Sequence, residues 1–122
     1  MRSPYSGFAL LHALAGLGVW ALCFVVLYGG LSVACRSAYA HTMVGSINVV
    51  SVMLGLAWAA HAVVLGTMLL GAWRKVRNPL SPDRSGEPGD AFVRWLTLVL
   101  HGMSMIALVA LAAPLLVLAP CA

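Results

Sequence analysis

A bundle of three membrane-spanning helices is the fold class this sequence predicts: all-α, integral to the membrane, with the N-terminus cytoplasmic and the C-terminus periplasmic. Three observations predict it. The 122 residues are 62% apolar and only 8% charged, where soluble domains average about half and about a quarter. Positions 3–35, 37–73 and 95–122 contain no Lys, Arg, Asp or Glu at all. Each stretch exceeds the roughly 20 apolar residues that a helix needs, at about 1.5 Å per residue, to cross about 30 Å of hydrocarbon. This composition excludes a soluble globular enzyme, a disordered tail and a nucleic-acid binder, because the net charge of +4 is not gathered into a patch.

The chain reads as one domain, 1–122, with spans over about 7–33, 44–72 and 92–118. Helices are required because a backbone in lipid must satisfy its own hydrogen bonds, and the many alternating segments of a closed barrel are missing. The second span is longer than necessary and is expected to tilt or project. Between the second and third spans, residues 73–91 hold Asn78-Pro79, Ser81-Pro82 and Gly86-Glu87-Pro88-Gly89-Asp90. Pro and Gly at this density stop a helix and favour turns, so this segment reads as a solvated connector.

Orientation follows the basic residues. Arg2 precedes the first span, and Arg74, Lys75, Arg77, Arg84 and Arg94 lie between the second and third; Arg36 alone falls on the other side. Trp73 and Trp95 bracket the basic segment, where amphipathic rings prefer the interface. The opening apolar run continues well beyond a secretory signal core, so cleavage is not expected. The location predicted is a bacterial inner membrane.

On the second span Asn48, Ser51, Gly55, Ala59, Ala62 and Gly66 fall within a narrow arc at 100° per residue. A stripe of small residues lets another backbone approach closely, which is how membrane helices pack when lipid is as apolar as Leu. The first span aligns His12, Gly16, Cys23 and Gly30. The third aligns Arg94, Thr97, His101 and Ala112, with Ser104 at the edge and Leu108 interrupting. These faces serve either a self-contained bundle or a larger membrane partner. Three helices enclose little interior, and the partner is the favoured use.

Intramembrane histidines are functional candidates by default. His61 and His101 fall at similar depth on antiparallel spans, roughly 15 Å from the cytoplasmic edge. Facing neutral imidazoles could ligate a haem b axially, with Gly16, Gly55 or Gly66 giving room and Arg94 near the membrane edge; quinone contact is a lesser alternative. The bland reading is a pair of neutral imidazoles bonded to neighbouring helices, and with no embedded Asp or Glu a proton relay is weaker still. His12 and Gly16 resemble, in two residues, the first-helix pattern of the haem-bearing anchor of succinate dehydrogenase, but the Arg of that pattern is absent.

Cys23 lies within the first span as a packing residue. Cys35 and Cys121 both follow spans that end on the outer side, where disulfides persist, and a bond between them is expected. Copper(I) held by Cys35, His41, Met43 and Cys121 is the alternative for these soft ligands.

The segment Val26-Leu27-Tyr28-Gly29-Gly30-Leu31-Ser32-Val33-Ala34-Cys35 and the ending Ala113-Pro114-Leu115-Leu116-Val117-Leu118-Ala119-Pro120-Cys121 resemble small three-span proteins found with bacterial aa3 and caa3 haem–copper cytochrome c oxidases. The resemblance spans the chain as an architecture and these two stretches as sequence. It implies a non-catalytic accessory subunit that stabilises or helps assemble a respiratory complex, partnered by larger membrane subunits and lipids, with no cofactor and no catalytic residue of its own. It carries over Cys35 and Cys121 alone. A haem b or quinone-binding anchor using His61 and His101 is the alternative function. A small transporter comes last, because the sequence shows no inverted repeat or buried acid.

Overall fold

The computed structural model describes residues 4–78, 88–117 and 121. Its elements in chain order are α1 (Pro4–Arg36), a 3-10 turn (Ala38–His41), β1 (Met43–Val44), β2 (Ile47–Asn48), α2 (Val49–Arg77) and α3 (Pro88–Val117). Within them, Gly7–Arg36, Val49–Arg77 and Ala91–Val117 are each long and apolar enough to cross a membrane. The expected turns at 79–87 lie outside the described residues. α1 and α3 start before their predicted spans, whereas α2 starts five residues later than apolarity alone suggests.

The late start of α2 has a local cause. β1 and β2 form an antiparallel hairpin with Val44 opposite Ile47, closed by Gly45-Ser46 with Gly45 at φ +66°. A two-residue hairpin loop needs positive φ at its first position, which Gly adopts without steric cost. Asn48 then caps α2. Its side chain accepts from the Val50 N–H at 2.8 Å, and its amide donates to the Ala40 carbonyl at 2.8 Å. Asn48 is therefore a helix cap and an anchor for the preceding turn, not a member of a helix face. At the far end Asn78 donates to the Arg74 carbonyl at 3.0 Å. The residue before Pro79 is biased away from helical backbone, and Arg74, Lys75 and Arg77 in the last turn suit the negative end of the helix dipole.

All three helices touch one another, and α1 and α3 each bury a stripe spaced alternately three and four residues. On α1 the stripe is Ala13, Gly16, Trp20, Cys23, Leu27, Gly30 and Ala34; on α3 it is Thr97, His101, Ser104, Leu108, Leu111 and Leu115. This is the spacing of helices that wind gently round one another, with a repeat of about 3.5 rather than 3.6 residues. On α2 the inward residues are Val50, Leu54, Trp58, Ala62, Leu65 and Ala72. Leu108, which looked like an interruption of the polar face, is fully buried at the centre of the core.

The interior has two storeys. Toward the hairpin end, Cys23, Leu27, Val50, Leu54, Leu65 and Leu108 form an apolar cluster, and a Cβ on Gly30 would come within 3.3 Å of Leu54. Trp58 of α2 donates its indole N–H to the Leu108 carbonyl of α3 at 2.9 Å, an interhelical bond of a kind worth about 0.6 to 2 kcal/mol in lipid. Toward the basic end the interior turns polar, with Thr97, His101 and Ser104 all buried.

Cys35, in the last turn of α1, is bonded to Cys121 beyond α3, with a Cα–Cα distance of 5.3 Å. The expected disulfide is thus present. It consumes both sulfurs of the copper alternative, whose other members, His41 and Met43, are exposed.

Candidate functional site

The polar storey is built by α3. Thr97, His101 and Ser104 follow one another around a single inward face, and each turns back on its own helix. The Thr97 hydroxyl donates to the Val93 carbonyl at 2.7 Å, and the Ser104 hydroxyl to the Leu100 carbonyl at 2.8 Å. His101 Nδ1 lies 2.8 Å from the Thr97 carbonyl. Bonding to the carbonyl one turn back is the cheapest way for a polar side chain to avoid an unsatisfied group in an apolar interior. It leaves one imidazole atom over: His101 Nε2 is buried with no hydrogen-bond partner among the described residues.

What packs on this ring is α1. A Cβ on Gly16 would stand 3.2 Å from His101 Cγ and 3.3 Å from its Cδ2 and Nδ1, so only glycine lets the helices approach this closely. One turn away the His12 ring lies 5.8 Å from that of His101, centroid to centroid, tilted by 41°. His61, the residue the sequence set opposite His101, bonds the Ala57 carbonyl of its own helix at 2.8 Å and is half-buried. The imidazole seen in contact with His101 is therefore His12. An Nδ1-anchored imidazole with a bare Nε2 has one property of a haem ligand, but Gly16 pressed against the ring leaves no slot there for a flat macrocycle. Gly55 and Gly66 form no cradle either: a Cβ on Gly55 would meet nothing within 4 Å, and one on Gly66 only Met105 at 3.9 Å.

This close approach gives a direct test. Gly16→Val is expected to destabilise the protein by about 1 to 3 kcal/mol through overpacking, because His101 is pinned by Thr97 and cannot swing aside. Gly18→Val, whose Cβ meets open space, is expected to change stability by less than about 0.5 kcal/mol. Thermal unfolding of both variants in the same detergent checks this, and equal losses would mean that the α1–α3 contact is not where Gly16 puts it.

Below the histidines a cleft of about 310 Å³ opens where the three helices meet at the basic end. His12 comes from α1, Lys75 from α2, and Arg94 and Thr97 from α3, with Phe8, Ala9, Ala72 and Val93 as apolar wall. Arg94 is half-buried, and Lys75 and His12 are exposed. Sequence reasoning treated Arg94 and Thr97 as helix-face residues and Lys75 as a topology signal, and it did not bring them together. The three-and-four spacing of Arg94, Thr97, His101, Ser104 and Leu108 was the available signal for the α3 half.

The small residues predicted as the packing face of α2 lie beside its buried stripe. Ala62 alone joins it; Ser51 and Gly66 are half-buried at its margin, Gly55 has open room, and Ala59 is exposed. Volume explains the offset: the gap between three helices is filled by Leu54, Leu65 and Leu108, and a stripe without side chains would leave it empty. Among the described residues no three His, Cys, Asp or Glu side chains gather as a metal site. No family model, curated protein or solved structure matches the chain.

Proposed function

We propose that this chain is a non-catalytic accessory subunit that packs against a larger respiratory membrane complex and stabilises it or helps it assemble, a terminal cytochrome oxidase being the specific candidate. The observation that carries the reading is the outward side of α2. The bundle fills its own interior with leucines and leaves Gly55 and Ala59 unused beside it. In lipid, helices associate through close backbone approach at such small residues, so this side suits a helix from another subunit. The disulfide and the Trp58 bond support the same reading, since they hold α1 and α3 together and α2 against α3 without any help from a partner. The excess of bases around the α2–α3 connection supports a cytoplasmic N-terminus in a bacterial inner membrane.

The test is a mild-detergent pull-down of the tagged chain from native membranes, with identification of stoichiometric partners. Recovery of haem-bearing oxidase subunits is expected. Recovery alone, or only as copies of itself, discards the reading. Gly55→Leu sharpens the result: a Cβ there meets nothing within 4 Å in the bundle, so the variant is expected to fold, keep its disulfide and lose most of the captured partner. A variant that still captures the partner fully would move the contact to another face.

Of the haem b and quinone alternatives, quinone contact is the second reading, favoured by the unpartnered Nε2 of His101, since the packing of Gly16 on that ring leaves a haem no slot. It requires a quinone signal from the chain alone that disappears in His101→Ala. A quinone-free preparation removes it.

A further inference from the structure

We propose that the cleft at the basic end is a binding site for a phosphate oxyanion, presented by the headgroup of an anionic membrane lipid or free in solution. This rests on the helices spanning a membrane, and not on which complex the chain joins.

The cleft draws one cationic group from each of two helices. Arg94 reaches it from α3 and Lys75 from α2, with His12 of α1 on the third side. A guanidinium presents a planar fork that matches two phosphate oxygens, and an ammonium adds a mobile point charge. A half-buried guanidinium such as Arg94 is costly unless an anion meets it. In sequence, segments 1–6 and 73–94 together carry six bases and three acids, a net positive charge that favours an anionic ligand. The volume of about 310 Å³ is at the lower end of ligand pockets, which start at about 300 Å³. That is ample for a phosphodiester group.

The surroundings match a lipid's anatomy. Phe8, Ala72 and Val93 supply apolar wall beside the charges. Trp73 and Trp95 adjoin cleft residues Ala72 and Arg94 in sequence, and both side chains are exposed, as expected of rings at headgroup depth. Basic pockets between membrane helices on the cytoplasmic side are a known means of holding anionic headgroups.

The experiment uses the full chain, purified in a neutral detergent with its disulfide intact. Native mass spectrometry follows titration with phosphatidylglycerol, and thermal shift follows inorganic phosphate in lipid-free micelles. The variants are Arg94→Gln, Lys75→Gln and their double, with Arg36→Gln at the opposite end as control. Helicity and the disulfide are verified in each. Phosphatidylglycerol is expected to bind the wild type, to weaken about tenfold or more in the double variant, and to be unaffected by Arg36→Gln. Stabilisation by inorganic phosphate alone, lost in the same double variant, would keep the site and assign it to a free anion. Undiminished binding of both in the folded double variant, or equal weakening by Arg36→Gln, would overturn the proposal. Should the double variant not fold, Arg94→Lys decides: it keeps the charge but loses the fork, and unchanged binding there counts against the site.

Discussion

Breaking the Cys35–Cys121 bond is expected to produce the largest loss of stability available from a single chemical change. The bond spans 86 residues, and loop-closure entropy assigns a loop of that length about 4 to 5 kcal/mol. That figure is an upper bound here, because spans that remain inserted when tertiary contacts are lost already confine the chain. Cys35→Ser and Cys121→Ser are expected to lower the unfolding midpoint equally, and the double variant no further, since all three remove the same bond. The loss should begin at the hairpin end, where the bond joins α1 to the tail of α3. The Gly16–His101 contact near the other end should persist longer. Unfolding in a denaturing-detergent titration, with non-reducing peptide mapping of the intact protein, checks both parts. Free alkylation of both cysteines in the intact protein would refute the pairing.

Leu108→Ala is the next largest, expected to cost about 2 to 5 kcal/mol. The side chain is fully buried among Cys23, Leu27, Val50, Leu54 and Leu65. Between membrane helices the cost comes mainly from lost dispersion contacts and the cavity left behind, because lipid solvates a leucine as well as the core does. The backbone carbonyl that receives Trp58 is untouched, so the loss isolates packing from hydrogen bonding. Val109→Ala, one residue along and exposed, is expected to change stability by less than about 0.5 kcal/mol. Comparable losses from the two variants would show that α3 presents a different face from the one described.

This pair also marks where sequence reasoning stopped. A wheel drawn at 100° per residue groups Arg94, Thr97, His101 and Ala112 and treats Leu108 as an intruder. That wheel already sets Leu108 between Thr97 and His101, so its apolarity and not its angle made it look out of place; helices that coil round one another bury a 3.5-residue repeat, which over four turns exchanges Ala112 for Leu111. Similarly, the second span reads as starting at about 44, inside the hairpin, because hydropathy does not register a turn. The Gly45-Ser46 pair between β-branched residues, followed by Asn48, was a legible hairpin and cap, masked by the apolarity around it.

By itself the sequence determined three helices, their approximate limits and the meeting of Cys35 with Cys121. Lipid offers a backbone no hydrogen bonds, so an uncharged apolar stretch of sufficient length has to be a helix, and three crossings place two cysteines that follow odd-numbered spans at the same end. Only the tertiary structure decided that His101 meets His12 and Gly16, that leucines and not the small residues fill the middle of the bundle, and that Lys75 and Arg94 share a cleft. In water a helix declares its inner face by being apolar on one side. In a membrane every side is apolar, and which residues turn inward is left to shape and close packing among the three helices, which no single segment contains.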